Sequence, residues 1–138
     1  METIKNIQAE IIEDFEMFDD WMQKYEFLID LGKELAPIEE QYKIEDNLIK
    51  GCQSRVWLHA EKQDGKIVYT ADSDAIMTKG IIAILIRVLS KQTPSEIISA
   101  DLSFIDTIGL KEQLSATRAN GLVSMIKKMK LYALAYQN

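Results

Sequence analysis

The stretch Asn47-Leu48-Ile49-Lys50-Gly51-Cys52-Gln53-Ser54-Arg55-Val56-Trp57-Leu58 sets the chain's only cysteine between two short apolar runs. Leu48-Ile49 reads as a first strand. Val56, Leu58 and Ala60, alternating with polar or larger residues, read as a second from about Ser54 to Glu61. Between them Gly51 can take a positive φ that other residues avoid, so the thiol is expected on a tight turn at a sheet end. Beyond the second strand, Gln63-Asp64-Gly65-Lys66 carries a strong hairpin signal, and Lys66 to Ala71 follows as a third strand antiparallel to the second.

Helices flank this sheet on both sides in sequence. Ile4, Ile7, Ile11, Phe15 and Phe18 recur at helical spacing. Asp19 or Asp20 can cap a second helix whose apolar face is Trp21, Tyr25, Leu28, Ile29 and Leu35, and Pro37 ends it. Phe18 and Trp21 are read as core packing rather than a ligand-stacking pair. The segment from Ile38 to Asp46 is polar and acidic, a surface connection. Asp72-Ser73-Asp74 opens a third helix, Ala75 to Leu89, with Ser73 or Asp74 as its cap. A calcium loop fails there, because the third ligand would be Ile76 and the required glycine is Met77. This helix is apolar nearly all round and belongs in the core, where Gly80 admits a close neighbour. Thr93-Pro94-Ser95-Glu96 is a capping box starting a short helix. A brief apolar segment around Phe104 to Leu110, interrupted by Gly109, precedes a last helix from about Ala116 to Tyr136. The order is α+β: a three-stranded antiparallel sheet with helices packed mainly on one face.

Composition narrows the function. A chain of 138 residues is read as one domain, 1–138, with a real hydrophobic core. Sixteen basic against twenty-two acidic side chains leave a net charge of −6, and no basic cluster interleaves with aromatics, so nucleic acid is not the expected partner. Lys127, Lys128 and Lys130 near a helix end read as a solvated face. The acidic amino terminus is unlike a signal peptide, and the longest apolar run, Ile81 to Ile86, is too short for a membrane span. A cytoplasmic protein with no membrane partner is expected. One cysteine and one histidine complete neither a zinc nor a cluster site, so no metal or cofactor is expected. His59 reads as structural or surface.

Cys52 itself has two readings. A lone cysteine is commonly a small buried hydrophobe. Gly51, Gln53 and Ser54 are poor core residues, which favours a reachable and reactive thiol. A hydrolase would need a histidine base, but His59 lies seven residues along, too far at about 3.3 Å per strand residue. A peroxidase would need a resolving cysteine, which is absent.

Gly51-Cys52-Gln53-Ser54-Arg55-Val56-Trp57 resembles the cysteine loop of the SufE family, sulfur acceptors that work with cysteine desulfurases in iron–sulfur cluster assembly. Three further blocks resemble that family in the same order: Trp21 to Leu35 with Pro37, Asp72-Ser73-Asp74-Ala75 with Lys79-Gly80, and Thr117 to Leu122. The resemblance runs from about Phe18 into the last helix and implies the same α+β fold. It implies that Cys52 accepts persulfide sulfur from a SufS-like or CsdA-like desulfurase, stimulates that enzyme and passes sulfur to a cluster-assembly scaffold. It also implies a resting state in which Cys52 folds inward between Leu48, Ile49 and helix residues, and a delivering state in which it swings out. The chain itself is then an accessory to an enzyme, with no cofactor of its own and a possible homodimer. Arg55, Arg118 and Asp74 are the candidates for tuning the thiolate or meeting the partner, and turn amides and a guanidinium are expected to lower the thiol pKa. Gly121, one turn beyond Arg118, would let a loop come close. A binding module that regulates a desulfurase without sulfur transfer is the alternative.

Overall fold

The computed structural model describes residues 3–137. Helix α1 (Ile4–Glu16) is capped by Thr3, whose hydroxyl accepts from the Asn6 amide at 3.1 Å. Helix α2 (Trp21–Lys33) is capped by Asp20, which accepts from the Gln23 amide at 2.9 Å. Trp21 packs against the core as expected, whereas Phe18 is half-buried and rests on the Phe27 ring. Two single-turn 3-10 helices, Glu40–Tyr42 and Glu45–Asn47, carry the chain to the cysteine loop.

Strands β1 (Val56–Gln63) and β2 (Lys66–Ser73) form an antiparallel hairpin with Gln63 opposite Lys66. Asp64 and Gly65 take φ values of 52° and 80°, the left-handed pair that matches the twist of a two-residue hairpin. Val56, Leu58 and Ala60 of β1 share the buried face with Ile67, Tyr69 and Ala71 of β2.

Among the described residues the sheet has two strands, not the three expected from sequence. Leu48 makes a single bridge to Trp57, and the Ile49 amide donates to the Val56 carbonyl at 2.8 Å; pairing stops there. Downstream, the outward carbonyls of β1 are taken by side chains of the last helix. The Tyr132 hydroxyl donates to Leu58 at 3.2 Å and the Tyr136 hydroxyl to Ala60 at 3.1 Å. Upstream, the turn Glu45–Asn47 is fixed by Asn47, whose amide donates to the Tyr42 carbonyl. The edge is therefore satisfied without a strand, which also blocks edge-to-edge pairing.

Helix α3 (Ile76–Leu89) is buried along most of its length. Its cap differs from the expectation. Ala75 occupies the N-cap position with no side-chain bond, because Ser73 and Asp74 are engaged elsewhere. Ser73 accepts from the Ala75 amide, and Asp74 accepts from the Arg55 amide at 3.1 Å. Helices α2 and α3 cross with their backbones nearly touching. A Cβ on Gly32 would lie 2.9 Å from the Gly80 nitrogen, and one on Gly80 would press into the Leu28 carbonyl.

Helix α4 (Pro94–Ile98) begins with the expected capping box, the Thr93 and Glu96 side chains each bonding the other's amide. Two short helices follow, α5 (Phe104–Thr107) and α6 (Leu110–Gln113), separated by Gly109 at φ 73°. Helix α7 (Ala116–Ala135) starts at Ser115, which accepts from the Arg118 amide. The Tyr69 hydroxyl donates to the Met129 carbonyl at 2.6 Å, tying β2 to α7 across the core. Among the described residues no helix is long and apolar enough to cross a membrane.

Candidate functional site

The cysteine loop, residues 50–54, leaves the hairpin between two fixed feet. The first is the Ile49–Val56 bond just described, with Ile49 buried. The second joins Arg55 and Asp74: the Arg55 amide donates to Asp74 Oδ1 at 3.1 Å, and the Asp74 amide returns a bond to the Arg55 carbonyl at 3.3 Å. Gly51 turns the chain at φ 94°, and a side chain there would run into Ser124 of α7. Only glycine combines that dihedral with that proximity.

Past this turn, Cys52 faces inward. Its S–H points at the Gly121 carbonyl with sulfur 3.7 Å from oxygen, a weak bond. A Cβ on Gly121 would stand 3.3 Å from the sulfur. The close approach expected at Gly121 is therefore made by the cysteine itself. Beside the thiol is a cavity of about 60 Å³ lined by Gln53 and Ser54 from the loop, Thr78 and Ile81 from α3, and Thr117, Arg118, Gly121 and Met125 from α7. That is space for more than one water-sized atom.

Of the residues singled out from sequence, Cys52, Gln53, Ser54 and Arg118 thus share one cavity. Arg55 and Asp74 form the loop's second foot, outside that lining. Leu48 and Ile49 are not among the residues lining that cavity, although Cys52 packs against the core to which Ile49 belongs. They line an open groove of about 610 Å³ with Lys50, Ser124, Lys127 and Lys128. Thr78, Ile81, Ser124 and Met125 were not singled out. Ser124 and Met125 follow Gly121 at three and four residues, so helical spacing alone puts them beside it. Nothing local marks Thr78 or Ile81. His59 is structural as expected: its ring stacks on Tyr42 at 3.5 Å, and Nε2 lies 3.0 Å from Glu61.

The electrostatics differ from the expectation of a lowered thiol pKa. Burial pushes the Cys52 thiol above the ordinary cysteine range, with no opposing contribution from a cation. Neither the Arg55 nor the Arg118 guanidinium has an ion pair or side-chain hydrogen bond among the described residues. In this arrangement burial favours the protonated thiol over the nucleophilic thiolate. Because the folded pKa is raised, burying the thiol stabilises the closed loop fully below the exposed-thiol pKa, and that contribution is lost as pH rises through the raised value. Alkylation of the isolated protein by iodoacetamide should consequently reach half its maximal rate at a higher pH than an exposed cysteine does. A midpoint at or below the free-cysteine value of about 8.5 would mean an exposed or cation-tuned thiol instead.

No group of three or more metal-ligating side chains occurs among the described residues. Comparison with known proteins gives consistent relatives. The family model for SufE, described as an Fe-S metabolism associated domain, matches residues 9–133. An uncharacterised SufE-like protein of Synechocystis sp. is 41% identical over 129 residues, spanning 94% of this chain and 81% of its own. Another, from Rhizobium meliloti, is 40% identical over 88% of this chain and 90% of its own. A chloroplastic/mitochondrial SufE-like protein of Arabidopsis thaliana is 39% identical over 91% of this chain but only 34% of its own length. The solution structure of a hypothetical protein from Thermus thermophilus superposes with a TM-score of 0.79, covering 94% of this chain and 95% of that one at 17% identity, which speaks to the fold alone. With that family model spanning the cysteine loop, both of its feet and the helix that receives it, the chain belongs to the SufE family.

Proposed function

We propose that the protein is a sulfur acceptor that takes persulfide sulfur from a cysteine desulfurase onto Cys52, stimulates that enzyme, and delivers the sulfur to cluster assembly in the cytoplasm. The observation that carries this reading is a lone cysteine on a five-residue loop, seated beside a cavity with room for added atoms. Family membership supports a role in iron–sulfur metabolism.

The chemistry is thiol–disulfide exchange with a persulfide as electrophile. The Cys52 thiolate attacks the outer sulfur of the desulfurase persulfide. A sulfur–sulfur bond forms at Cys52, the bond within the donor breaks, and the donor thiolate leaves with its electron pair. No net oxidation occurs, and no resident cofactor is required. The raised pKa gives the step an order: the loop leaves its cavity first, and ionisation follows in the more polar environment of the partner surface. Arg118 and Arg55 then serve best as partner contacts, since both guanidinium groups stand beside the loop without carboxylate partners. Return of the loop would place the outer sulfur in the cavity between Ile81 and Met125, away from water and stray thiols.

Incubation with a cysteine desulfurase and cysteine should add one sulfur mass to the intact chain, and none to Cys52→Ser. Sulfur on the Ser variant would remove Cys52 from the mechanism. Stimulation of the desulfurase by Cys52→Ser, equal to that of the native chain, would favour a binding module without sulfur transfer.

A further inference from the structure

We propose that Lys43 and Asp72 are positioning residues for Cys52, forming a latch that fastens the segment before the cysteine loop across the outer face of the hairpin. The inference rests on the sulfur-acceptor reading for its purpose, though not for its geometry. Lys43 lies between the two 3-10 turns that lead into the loop. Its ammonium passes over the Trp57 ring, 5.5 Å from the centroid, and reaches Asp72 Oδ2 at 2.8 Å. Asp72 is the residue opposite Trp57 in the hairpin, and Leu48 bridges Trp57 from the other edge. One tryptophan is therefore held by the first foot of the loop and covered by the latch.

The second foot depends on the same carboxylate. Asp72 Oδ1 accepts from the Ser73 amide at 2.8 Å and from Lys79 at 3.3 Å, which fixes the end of β2 at Asp72-Ser73. The next residue, Asp74, meets the Arg55 amide. Exposed ion pairs contribute little to stability. This one differs in that both side chains are mostly covered, 24% and 22% exposed, and the carboxylate has three donors. Burial pushes Asp72 up, but the bonds from Lys43, Ser73 and Lys79 together hold it below its ordinary value. Without Lys43 the carboxylate keeps the Ser73 amide and Lys79, so loss of Lys43 should be felt at the first foot and loss of the Asp72 carboxylate at both.

While the latch is closed, only residues 50–54 are free to swing. When it opens, the Leu48 and Ile49 foot loosens and the mobile segment lengthens backward. The strap is not lost altogether. The Tyr42–His59 stack and the Asn47–Tyr132 hydrogen bond still hold it. The latch therefore sets how often and how far the thiol leaves its cavity, by local opening rather than global unfolding.

The test uses the isolated chain, with Lys43→Met, Asp72→Asn and Lys43→Arg. Both latch-breaking variants should be alkylated at Cys52 by iodoacetamide about two- to fivefold faster than the native chain, the scale of a partly covered ion pair. Lys43→Arg should restore the native rate. Hydrogen exchange at the Ile49 amide should quicken in Lys43→Met while α3 amides keep their protection. Unchanged alkylation in both latch-breaking variants would overturn the proposal. So would acceleration accompanied by equal loss of protection in α3, which would mean global destabilisation. Alkylation needs no desulfurase, so the two readings fail separately: a chain that never gains sulfur can still show the latch, and one that gains sulfur normally can lack it.

Discussion

Gly80→Ala should lower stability by about 3 kcal/mol, near the top of the range for overpacking a close contact, and the melting temperature by roughly 10 °C. The methyl group has nowhere to go. It would press into the Leu28 carbonyl oxygen, with the carbonyl carbon and Leu28 Cγ each 2.9 Å away. Two of those three atoms are backbone within a helical turn, so relief requires α2 to move bodily away from α3. Alanine's better helix propensity, worth about 1 kcal/mol over glycine, opposes the loss without cancelling it. Gly32→Ala should cost a similar amount, because its Cβ would meet the Gly80 nitrogen and Cα from the other side. The double variant should then cost less than the sum of the two. Once the helices have parted to admit one methyl, the second finds space already made. Thermal unfolding of the three variants checks all of this, and a Gly80→Ala protein melting within a degree of the native one would show that the crossing is looser than its backbone contacts indicate. The effect would reach the site as well, since α3 carries Thr78 and Ile81 into the Cys52 cavity.

What the sequence made legible was local. The Asp64-Gly65 turn, the Thr93 to Glu96 capping box, the helical periodicities and the role of Gly51 all depend on neighbours within a few residues. They appear in the structure as read. The failures share one cause, which is distance along the chain. A third strand at Leu48-Ile49 is reasonable from hydrophobicity. The β1 edge it would have extended along is instead satisfied by Tyr132 and Tyr136, more than seventy residues downstream. Asp74 has the composition of a helix cap, but its carboxylate is drawn to the Arg55 amide, nineteen residues earlier in the chain. The thiol pKa moved opposite to expectation for the same reason. Adjacent Arg55 is visible in the sequence, whereas the burial that raises Cys52 comes from α3 and α7. Groups distant along the chain decide each case, and no local pattern announces them.

Gly121→Ala should speed alkylation of Cys52 by about tenfold, the consequence of an overpacking cost of 1–3 kcal/mol borne by the closed loop. The added methyl group meets the cysteine first: its three nearest neighbours would be the Cys52 sulfur at 3.3 Å, Cα at 3.8 Å and Cβ at 3.9 Å. One side of that contact must give. Gly121 is inside a twenty-residue helix tied to the sheet through Tyr132 and to the core through Met125 and Met129. The loop tip is held by a weak S–H bond and by Gly51 resting against Ser124. The loop therefore yields and the helix does not. Thermal stability should be unchanged or slightly raised, because alanine replaces glycine in a helix interior. The half-maximal pH for alkylation should also fall back toward that of an exposed cysteine, since the burial that raised it is relieved. Under the sulfur-acceptor reading, the variant should accept sulfur at least as fast as the native chain and lose it sooner to added thiols. A lowered melting temperature with native alkylation would mean the opposite partition: a rigid loop, a displaced helix, and a cysteine held in place by more than the contacts at Gly121.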